Sequence, residues 1–165
     1  MRAFIELLKV LYRKPVEFVC GLLMAAITGV VFLQVISRYV FRHPFDWPEE
    51  LARFLFVWVA LLGAALALRR GAHFSIEILV NRFSKRWQLT TALFIHSLLG
   101  LFILIVTIKG FELAIRIREQ LSSGIEISMT FPYLAVPVSF AVMLKYIFAD
   151  IFKLIKRQRY SEPEL

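Results

Sequence analysis

The stretch FVCGLLMAAITGVVFLQVIS, residues 18–37, contains twenty consecutive positions without a charged side chain. A helix rises 1.5 Å per residue, so about twenty apolar residues cross the roughly 30 Å hydrocarbon layer of a bilayer. A cleaved signal peptide has a shorter apolar core, of about 7–15 residues. We therefore predict that this stretch belongs to a retained transmembrane helix over about residues 16–40.

Three further segments have the length and hydropathy of transmembrane helices. They cover about residues 49–68, 87–108 and 131–152. The composition agrees, because 59% of the 165 residues are hydrophobic and 19% are charged, with a mean hydropathy of +0.72. A soluble domain of this length carries more charge. The sequence predicts an all-α integral membrane protein, with residues 1–165 forming a single four-span membrane domain.

The positively charged residues predict how these spans are oriented. Thirteen Lys and Arg residues flank the spans on the side that holds both termini and the middle connection, against six in the other two connections. The positive-inside rule places the richer side in the cytoplasm. Both termini are therefore predicted to be cytoplasmic, and the connections around residues 41–48 and 109–130 are predicted to lie outside.

The middle connection contains an amphipathic segment. Ile76, Leu79, Val80 and Phe83 recur at helical spacing, and polar and basic residues occupy the other side. This pattern predicts a short helix over about residues 75–86 that lies in the cytoplasmic interface. Its basic residues are expected to lie near anionic headgroups: Arg82, Lys85 and Arg86. A helix packed against a soluble partner is the alternative.

The first outer connection, RYVFRHPFDWPEELARFLFVW at residues 38–58, is unusually charged for its surroundings. Pro48 suits the first turn of a helix, and Glu49 and Glu50 meet the positive end of its dipole. Arg53 lies at favourable helical spacing from both acids. A helix start does not require two adjacent acids and an arginine, so this local role explains only part of the pattern.

Near the second outer connection, helical spacing continues past the third span and predicts that this helix projects beyond the membrane. Pro137 is expected to bend the fourth span near its start.

Lys145 lies about 21 Å along the fourth span from Phe131, by the helical rise. Its stem can extend to the cytoplasmic headgroups, and the alternative is an intramembrane polar contact with another subunit.

Catalytic and cofactor signatures are absent from the sequence. It has no phosphate-binding loop, no serine-hydrolase elbow and no zinc-protease motif. His96 is the one histidine inside a predicted span, and Cys20 is the single cysteine, so the chain can form neither a two-ligand haem site nor an intrachain disulfide. We predict no enzyme, no cofactor and no metal. Basic residues that bracket apolar spans also argue against nucleic-acid binding.

Two longer segments resemble a known family. QVISRYVFRHPFDWPEELARFLFVWVALLGAALALRRGAHFSIEIL, residues 34–79, and REQLSSGIEISMTFPYLAVPVSFAVM, residues 118–143, are similar to the small membrane subunit of tripartite ATP-independent periplasmic (TRAP) transporters. The resemblance is specific because it includes the WPEELAR and RRGAHF motifs at this separation along the chain. It covers about residues 34–143 and includes four spans in the expected order.

The resemblance implies a small scaffold subunit of a sodium-driven secondary transporter in the bacterial inner membrane. Such a subunit packs beside a large elevator-type membrane subunit, and a periplasmic solute-binding protein delivers an organic anion, commonly a carboxylate or sulfonate. It implies a subunit interface or receptor-docking surface at the outer end: Arg38, Trp47, Glu49, Glu50 and Arg53. It also implies anchoring at the inner headgroups by a basic turn: Arg69, Arg70 and His73.

Two other functions remain as alternatives from the sequence. The first is a membrane anchor of a respiratory enzyme, which would bind haem, although one intramembrane histidine argues against it. The second is an autonomous four-span exporter, which would need a membrane-embedded acid, and Glu17 lies too near the end of its span to serve well.

Overall fold

The computed structural model describes residues 14–43, 45–69 and 85–160, and this part of the chain is mostly helical. Its helices are α1 (Pro15–Tyr39), α2 (Trp47–Arg69), α3 (Lys85–Arg116), α4 (Thr130–Tyr133) and α5 (Ala135–Tyr160). Within these ranges, strand-like pairing is limited to an isolated antiparallel bridge between Leu121 and Ser128. The predicted all-α class is confirmed.

Four stretches of helix are long and apolar enough to cross a membrane. They are α1, α2, the Thr90–Arg116 part of α3, and the Thr130–Leu154 stretch formed by α4 and α5. The prediction of four spans is therefore confirmed. The largest difference in length is at α3, which has 32 residues and ends at Arg116. It continues about two turns past the predicted boundary at residue 108, as the helical spacing there indicated.

A short turn joins α1 to α2. Arg42 has a φ of 52°, the left-handed conformation that commonly ends a helix and reverses the chain. The amides of Phe41 and His43 donate to the carbonyls of Ile36 at 3.2 Å and of Ser37 at 3.1 Å. Carbonyls at the end of α1 thus have partners, and α1 and α2 become antiparallel neighbours joined at one end.

The helices form an open row rather than a closed bundle. α1 packs against α2, α2 against α5, and α5 against α3, while the short α4 contacts α2, α3 and α5. Among the described helices α1 has no neighbour but α2, so α1 and α3 form the two edges of the row. Burial is lowest in α1, whose most apolar segment has no buried residue, and highest in the stretch formed by α4 and α5, where 28% of that segment is buried.

A small apolar core lies where α2, α3 and α5 meet. Nearer the α3–α4 connection, Gly110 of α3 lies against Pro137, and a Cβ at position 110 would come within 3.1 Å of the proline Cδ atom. Small residues at such contacts let helices in a membrane approach closely. The core itself is a buried cluster of four residues: Ala65, Ile103, Met143 and Ile147.

The fourth span is interrupted at Leu134, which separates α4 from α5. The Leu134 amide still donates to the Thr130 carbonyl at 2.8 Å. Pro137 has no amide hydrogen to donate to the carbonyl of Tyr133, four positions earlier. The interruption therefore lies about one turn before the proline at which the sequence predicts a bend.

Two predictions concern residues that the structure does not describe. The interfacial helix expected over residues 75–86 falls almost wholly within residues 70–84, which the structure does not describe. The cytoplasmic location of both termini stays a prediction.

The structure places the start of α1, the end of α2 and the middle of α5 together, because Arg69 contacts both Glu17 and Tyr146. We call this the inner end of the row, and the opposite end the outer end.

Candidate subunit interface at the outer end

The carboxylate of Glu50 binds the connection between α3 and α4. Glu50 lies in the first turn of α2 and is half-buried. Its Oε2 atom accepts hydrogen bonds from the backbone amides of Gly124 at 2.8 Å and Ile125 at 3.0 Å. Hydrogen bonds to an ionised acceptor are stronger than those between neutral groups. These two bonds hold the connection against the start of α2.

Residues 120–129 form a hairpin, which we call the outer hairpin. The Ser122 amide donates to the Ile127 carbonyl at 2.9 Å, and the Met129 amide donates to the Gln120 carbonyl at 2.8 Å. Glu126 has a φ of 58°, a left-handed conformation that tight turns often require. The outer hairpin is therefore a folded element and presents the amides that Glu50 binds.

Two hydroxyl groups fasten the base of the outer hairpin to α3 and its C-terminal extension. Ser128 Oγ donates to the carbonyl of Arg118 at 2.7 Å. Thr130 Oγ1 donates to the carbonyl of Ala114 at 3.0 Å, and Ala114 is fully buried. The outer hairpin is thus held from two sides, by α2 through Glu50 and by α3 through these hydroxyl groups.

Gly124 allows Glu50 to approach the hairpin backbone. A Cβ atom at position 124 would lie 2.8 Å from Glu50 Oε2 and 3.7 Å from the Asp46 carbonyl oxygen. Glycine is used where a group must approach the backbone this closely. Local sequence patterns do not reveal this contact, because Glu50 and Gly124 are 74 positions apart in the chain.

Arg53 pairs with Glu49 rather than with Glu50. Arg53 Nη2 lies 3.6 Å from Glu49 Oε1, and both side chains are mostly exposed. The helical spacing made either acid a possible partner for Arg53. The structure separates their roles, because Glu49 lies on the exposed side of α2 while Glu50 binds the outer hairpin. An exposed ion pair of this kind contributes little to stability.

Aromatic contacts flank this region. The rings of Phe45 and Trp47 stack with their centroids 6.4 Å apart. Trp58 Nε1 donates to the Phe131 carbonyl at 3.3 Å, and the two rings lie 5.9 Å apart. This second contact joins α2 to α4. It was not predicted, because local spacing does not show which residues of distant helices meet.

The five residues predicted at the outer end do not form one cluster. Of these five, Glu50 is the residue that binds the outer hairpin. The other four are exposed: Arg38, Trp47, Glu49 and Arg53. The candidate interface therefore has one inward-directed acid, which organises the surface, and four residues that are accessible on it.

At the inner end, the structure describes two of the predicted polar residues in full. Arg69 ends α2 and lies 3.7 Å from Glu17 of α1. Lys145 is exposed on α5, directly before Tyr146, whose ring lies 5.8 Å from Arg69 Cζ. Lys145 is therefore level with the inner end of α2. The remaining anchoring candidates lie outside the described residues or side chains: Arg70, His73, Arg82, Lys85 and Arg86.

The described residues contain no group of three or more His, Cys, Asp or Glu side chains that could hold a metal ion. His96 Nδ1 lies 2.7 Å from the Ala92 carbonyl of its own helix. A groove on α3 is lined by apolar residues and offers a solute no polar group: Ile95, Leu98, Leu99, Leu101, Phe102 and Ile105.

The sequence matches the family model described as tripartite ATP-independent periplasmic transporters, DctQ component, over residues 27–157. The chain belongs to this family. The match includes the second half of α1 and the other three spans in full, together with the Glu50 contact and the outer hairpin. The DctQ-type resemblance of residues 34–143 is thereby confirmed.

Individual relatives match over different lengths. The sialic acid TRAP transporter permease protein SiaT of Haemophilus influenzae (strain 86-028NP) is 39% identical over 82 residues, which are 50% of this chain and 13% of SiaT. A putative TRAP transporter small permease protein of Haemophilus influenzae (strain Rd) is 41% identical over 69 residues, 42% of this chain and 43% of that protein.

A third relative is similar over most of its length. The sialic acid TRAP transporter small permease protein SiaQ of Vibrio cholerae is 27% identical over 154 residues, 92% of this chain and 88% of SiaQ. Other matching relatives are named for C4-dicarboxylates and isethionate. These relatives are permease subunits, which confirms the non-enzymatic class. Together with the four spans, they identify a multi-pass protein of the bacterial inner membrane.

Proposed function

We propose that this chain is the small, scaffold subunit of a sodium-driven TRAP transporter. It packs beside a large, elevator-type membrane subunit and stabilises it, while a periplasmic solute-binding protein delivers an organic anion to that subunit. The chain contributes no substrate or sodium site of its own. This proposal extends the family membership to a role, a set of partners and a coupling ion.

The observation that carries the proposal is the open row of helices. The row has two edges, α1 and α3, and large apolar side chains are exposed along it, such as Phe32, Phe56 and Phe102. Transporters that work alone place their substrate sites near the bilayer midplane, at broken helices that supply polar backbone groups. The groove described on α3 is apolar instead, which favours attachment to a larger membrane body.

The relatives support a large partner subunit and an anionic substrate. The matched segment is 13% of SiaT and 21% of the isethionate permease protein DctMQ, so most of each of these proteins lies outside the part that this chain resembles. Sialic acid and C4-dicarboxylates are carboxylates, and isethionate is a sulfonate. An organic acid of one of these kinds is therefore the proposed class of substrate.

The outer surface is proposed to contact the large subunit or the periplasmic binding protein. Arg38, Trp47, Glu49 and Arg53 supply its accessible groups, and Arg and Trp are the residue types that most often dominate interfaces. Glu50 acts indirectly in this proposal, because it holds the outer hairpin beside them. A partner would then meet a surface that is already ordered, which lowers the entropic cost of binding.

At the inner end, basic residues are proposed to anchor the chain at the cytoplasmic headgroups. Lys145 reaches either the same headgroups or a polar group of the large subunit within the membrane. The proposed anchoring residues are those of the basic turn and of the segment that follows it: Arg69, Arg70, His73, Arg82, Lys85 and Arg86.

Co-expression with a large TRAP subunit tests the proposal. The two chains are expected to co-purify in mild detergent, and proteoliposomes that hold both should take up an organic acid when the binding protein and an inward sodium gradient are present. Uptake by this chain alone would contradict the proposal, as would full uptake by the large subunit alone or uptake independent of sodium.

Substitutions on the outer surface test the proposed contact residues. Trp47→Ala and Arg38→Ala are expected to lower co-purification or uptake several-fold, because each removes an accessible interface side chain. Lys109→Ala is the matched control, since Lys109 is equally on the outer side but pairs with Glu112 of its own helix at 2.8 Å. Equal effects of all three substitutions would contradict a specific role for this surface.

A further inference from the structure

Helix α1 is attached to the row on one side only. Among the described helices it contacts α2 alone, and the turn over residues 40–43 reverses the chain toward α2 at the outer end. Apolar contacts between helices are not driven by the hydrophobic effect within a membrane, because lipid tails are as apolar as the side chains. Apolar packing by itself therefore sets the alignment of α1 on α2 only weakly.

At the inner end, Arg69 connects three helices. Its Nη1 atom lies 3.7 Å from Glu17 Oε1 on α1, and its Cζ atom lies 5.8 Å from the ring centroid of Tyr146 on α5, within the range of a cation–π contact. The side chains of Arg69 and Glu17 are 39% and 23% exposed. Both are thus partly withdrawn from water, where charged contacts are less screened.

We propose that Arg69 sets the register of α1 against α2 and links both helices to α5. Its guanidinium is planar, so one face can lie over the Tyr146 ring while an edge is directed at the Glu17 carboxylate. A slip of α1 by one helical turn would move Glu17 about 5.4 Å along the axis and separate the charges. Single polar residues fix register in this way in other paired helices.

The proposal assigns Arg69 a role distinct from headgroup anchoring. An arginine that only meets lipid phosphate does not depend on the identity of residue 17 or residue 146. An arginine that aligns α1 depends on both, so the two roles differ in how they respond to substitution of Glu17. The proposal concerns the chain by itself and holds or fails independently of its transport partners.

Cross-linking of paired cysteines tests the register. Cys20 follows Glu17 by three residues and Leu66 precedes Arg69 by three, so each lies about one turn inside the ion pair on the same face of its helix. The native-register pair is Cys20 with Leu66→Cys. The shifted pair is Leu23→Cys with Leu66→Cys in a Cys20→Ser background, and yields are compared in the full chain in lipid bilayers.

Loss of the charge on Arg69 should redistribute these cross-links. In Arg69→Gln and in Glu17→Gln, the ratio of native-register to shifted product is expected to fall about threefold to tenfold, the range that interhelical polar contacts support in membranes. The double variant should fall no further than either single one. Tyr146→Phe keeps the ring and should leave the ratio unchanged, whereas Tyr146→Leu should lower it.

Lys14→Gln is the matched control, because Lys14 pairs with Glu17 at 3.4 Å within α1 itself. It removes a charge partner of Glu17 without touching α2, and the ratio should stay at its native value. Exchange of the charges, Glu17→Arg with Arg69→Glu in the Lys14→Gln background, should restore the ratio in part, because the ion pair returns while the contact with the Tyr146 ring is lost. An unchanged ratio in Arg69→Gln, or additive effects of Glu17→Gln and Arg69→Gln, would overturn the proposal.

Discussion

At the scale of single residues, Glu50 shows how one side chain can organise a connection far away in the chain. Its carboxylate lies beside two consecutive amides of the outer hairpin, at 2.8 and 3.0 Å. Aspartate at this position would be one methylene shorter and would not reach both amides. Glutamine would keep an acceptor oxygen but lose the charge that strengthens the bonds.

Glu50→Ala is expected to loosen the outer hairpin while leaving the four helices folded. Loss of a charge-assisted bond pair on a half-exposed acid costs about 1–2 kcal/mol locally. The amides of Gly124 and Ile125 should then exchange their hydrogens roughly tenfold faster. Hydrogen exchange of the purified chain in detergent measures this, and Glu49→Ala should leave both amides unchanged, because Glu49 pairs with Arg53 on the exposed side of α2.

The space at Gly124 provides the counter-test for the same contact. Gly124→Ala should speed exchange of the Ile125 amide in the native background, because the new Cβ would lie 2.8 Å from Glu50 Oε2. In the Glu50→Ala background it should have little further effect, since the colliding atom is gone. Independent effects of the two substitutions would show that Glu50 does not bind the outer hairpin.

At the scale of helices, α3 packs closely against α5. Two glycines of α3, Gly100 and Gly110, face α5, and they differ in the space available for a Cβ atom. A Cβ at Gly110 would lie 3.1 and 3.2 Å from ring carbons of Pro137, whereas a Cβ at Gly100 would lie 3.6 Å from Ile147, an ordinary van der Waals distance. Gly110 is thus required by close packing, and Gly100 is not.

Gly110→Ala is therefore expected to destabilise the chain by about 1–3 kcal/mol, as other overpacked contacts do. The rigid ring of Pro137 cannot move aside as a flexible side chain would. Gly100→Ala should be neutral or slightly stabilising, because alanine has the higher helix propensity. Unfolding of the purified chain in mixed micelles compares the two variants, and an equal loss of stability in both would contradict this account of the α3–α5 contact.

At the scale of the whole molecule, four spans place the start of α1 and the end of α5 on the same side of the membrane. The contacts of Arg69 join the start of α1 to the end of α2 and to α5 at the inner end. The Glu50 contact and the outer hairpin lie at the outer end. The positive-inside rule assigns the inner end to the cytoplasm.

Cysteine labelling in intact cells checks this sidedness. Ser123→Cys, at the exposed tip of the outer hairpin, is expected to react with a membrane-impermeant thiol reagent that enters the periplasm. Lys156→Cys, on the inner extension of α5, should react only after the inner membrane is opened. A Cys20→Ser background removes the single native thiol. The reverse pattern would invert the orientation and with it the proposed location of the outer surface.

The sequence by itself determined the class of this protein and its spans. Twenty residues without a charge must cross a bilayer or be buried, and the same reasoning applies to each span separately, because hydropathy and helical rise are local properties. The same local reasoning placed Glu49 and Glu50 at the start of α2. The resemblance of the WPEELAR and RRGAHF motifs then indicated the family that the comparison confirmed.

Only the tertiary structure decided which residues meet. Glu50 with Gly124, Trp58 with Phe131, and Arg69 with Glu17 and Tyr146 join segments that are 52 to 77 positions apart. Helical spacing could not distinguish Glu49 from Glu50 as the partner of Arg53, because both spacings are favourable. Likewise, four apolar helices are compatible with many arrangements in lipid, and the open row follows from close contacts such as Gly110 with Pro137, which depend on shape rather than on hydropathy.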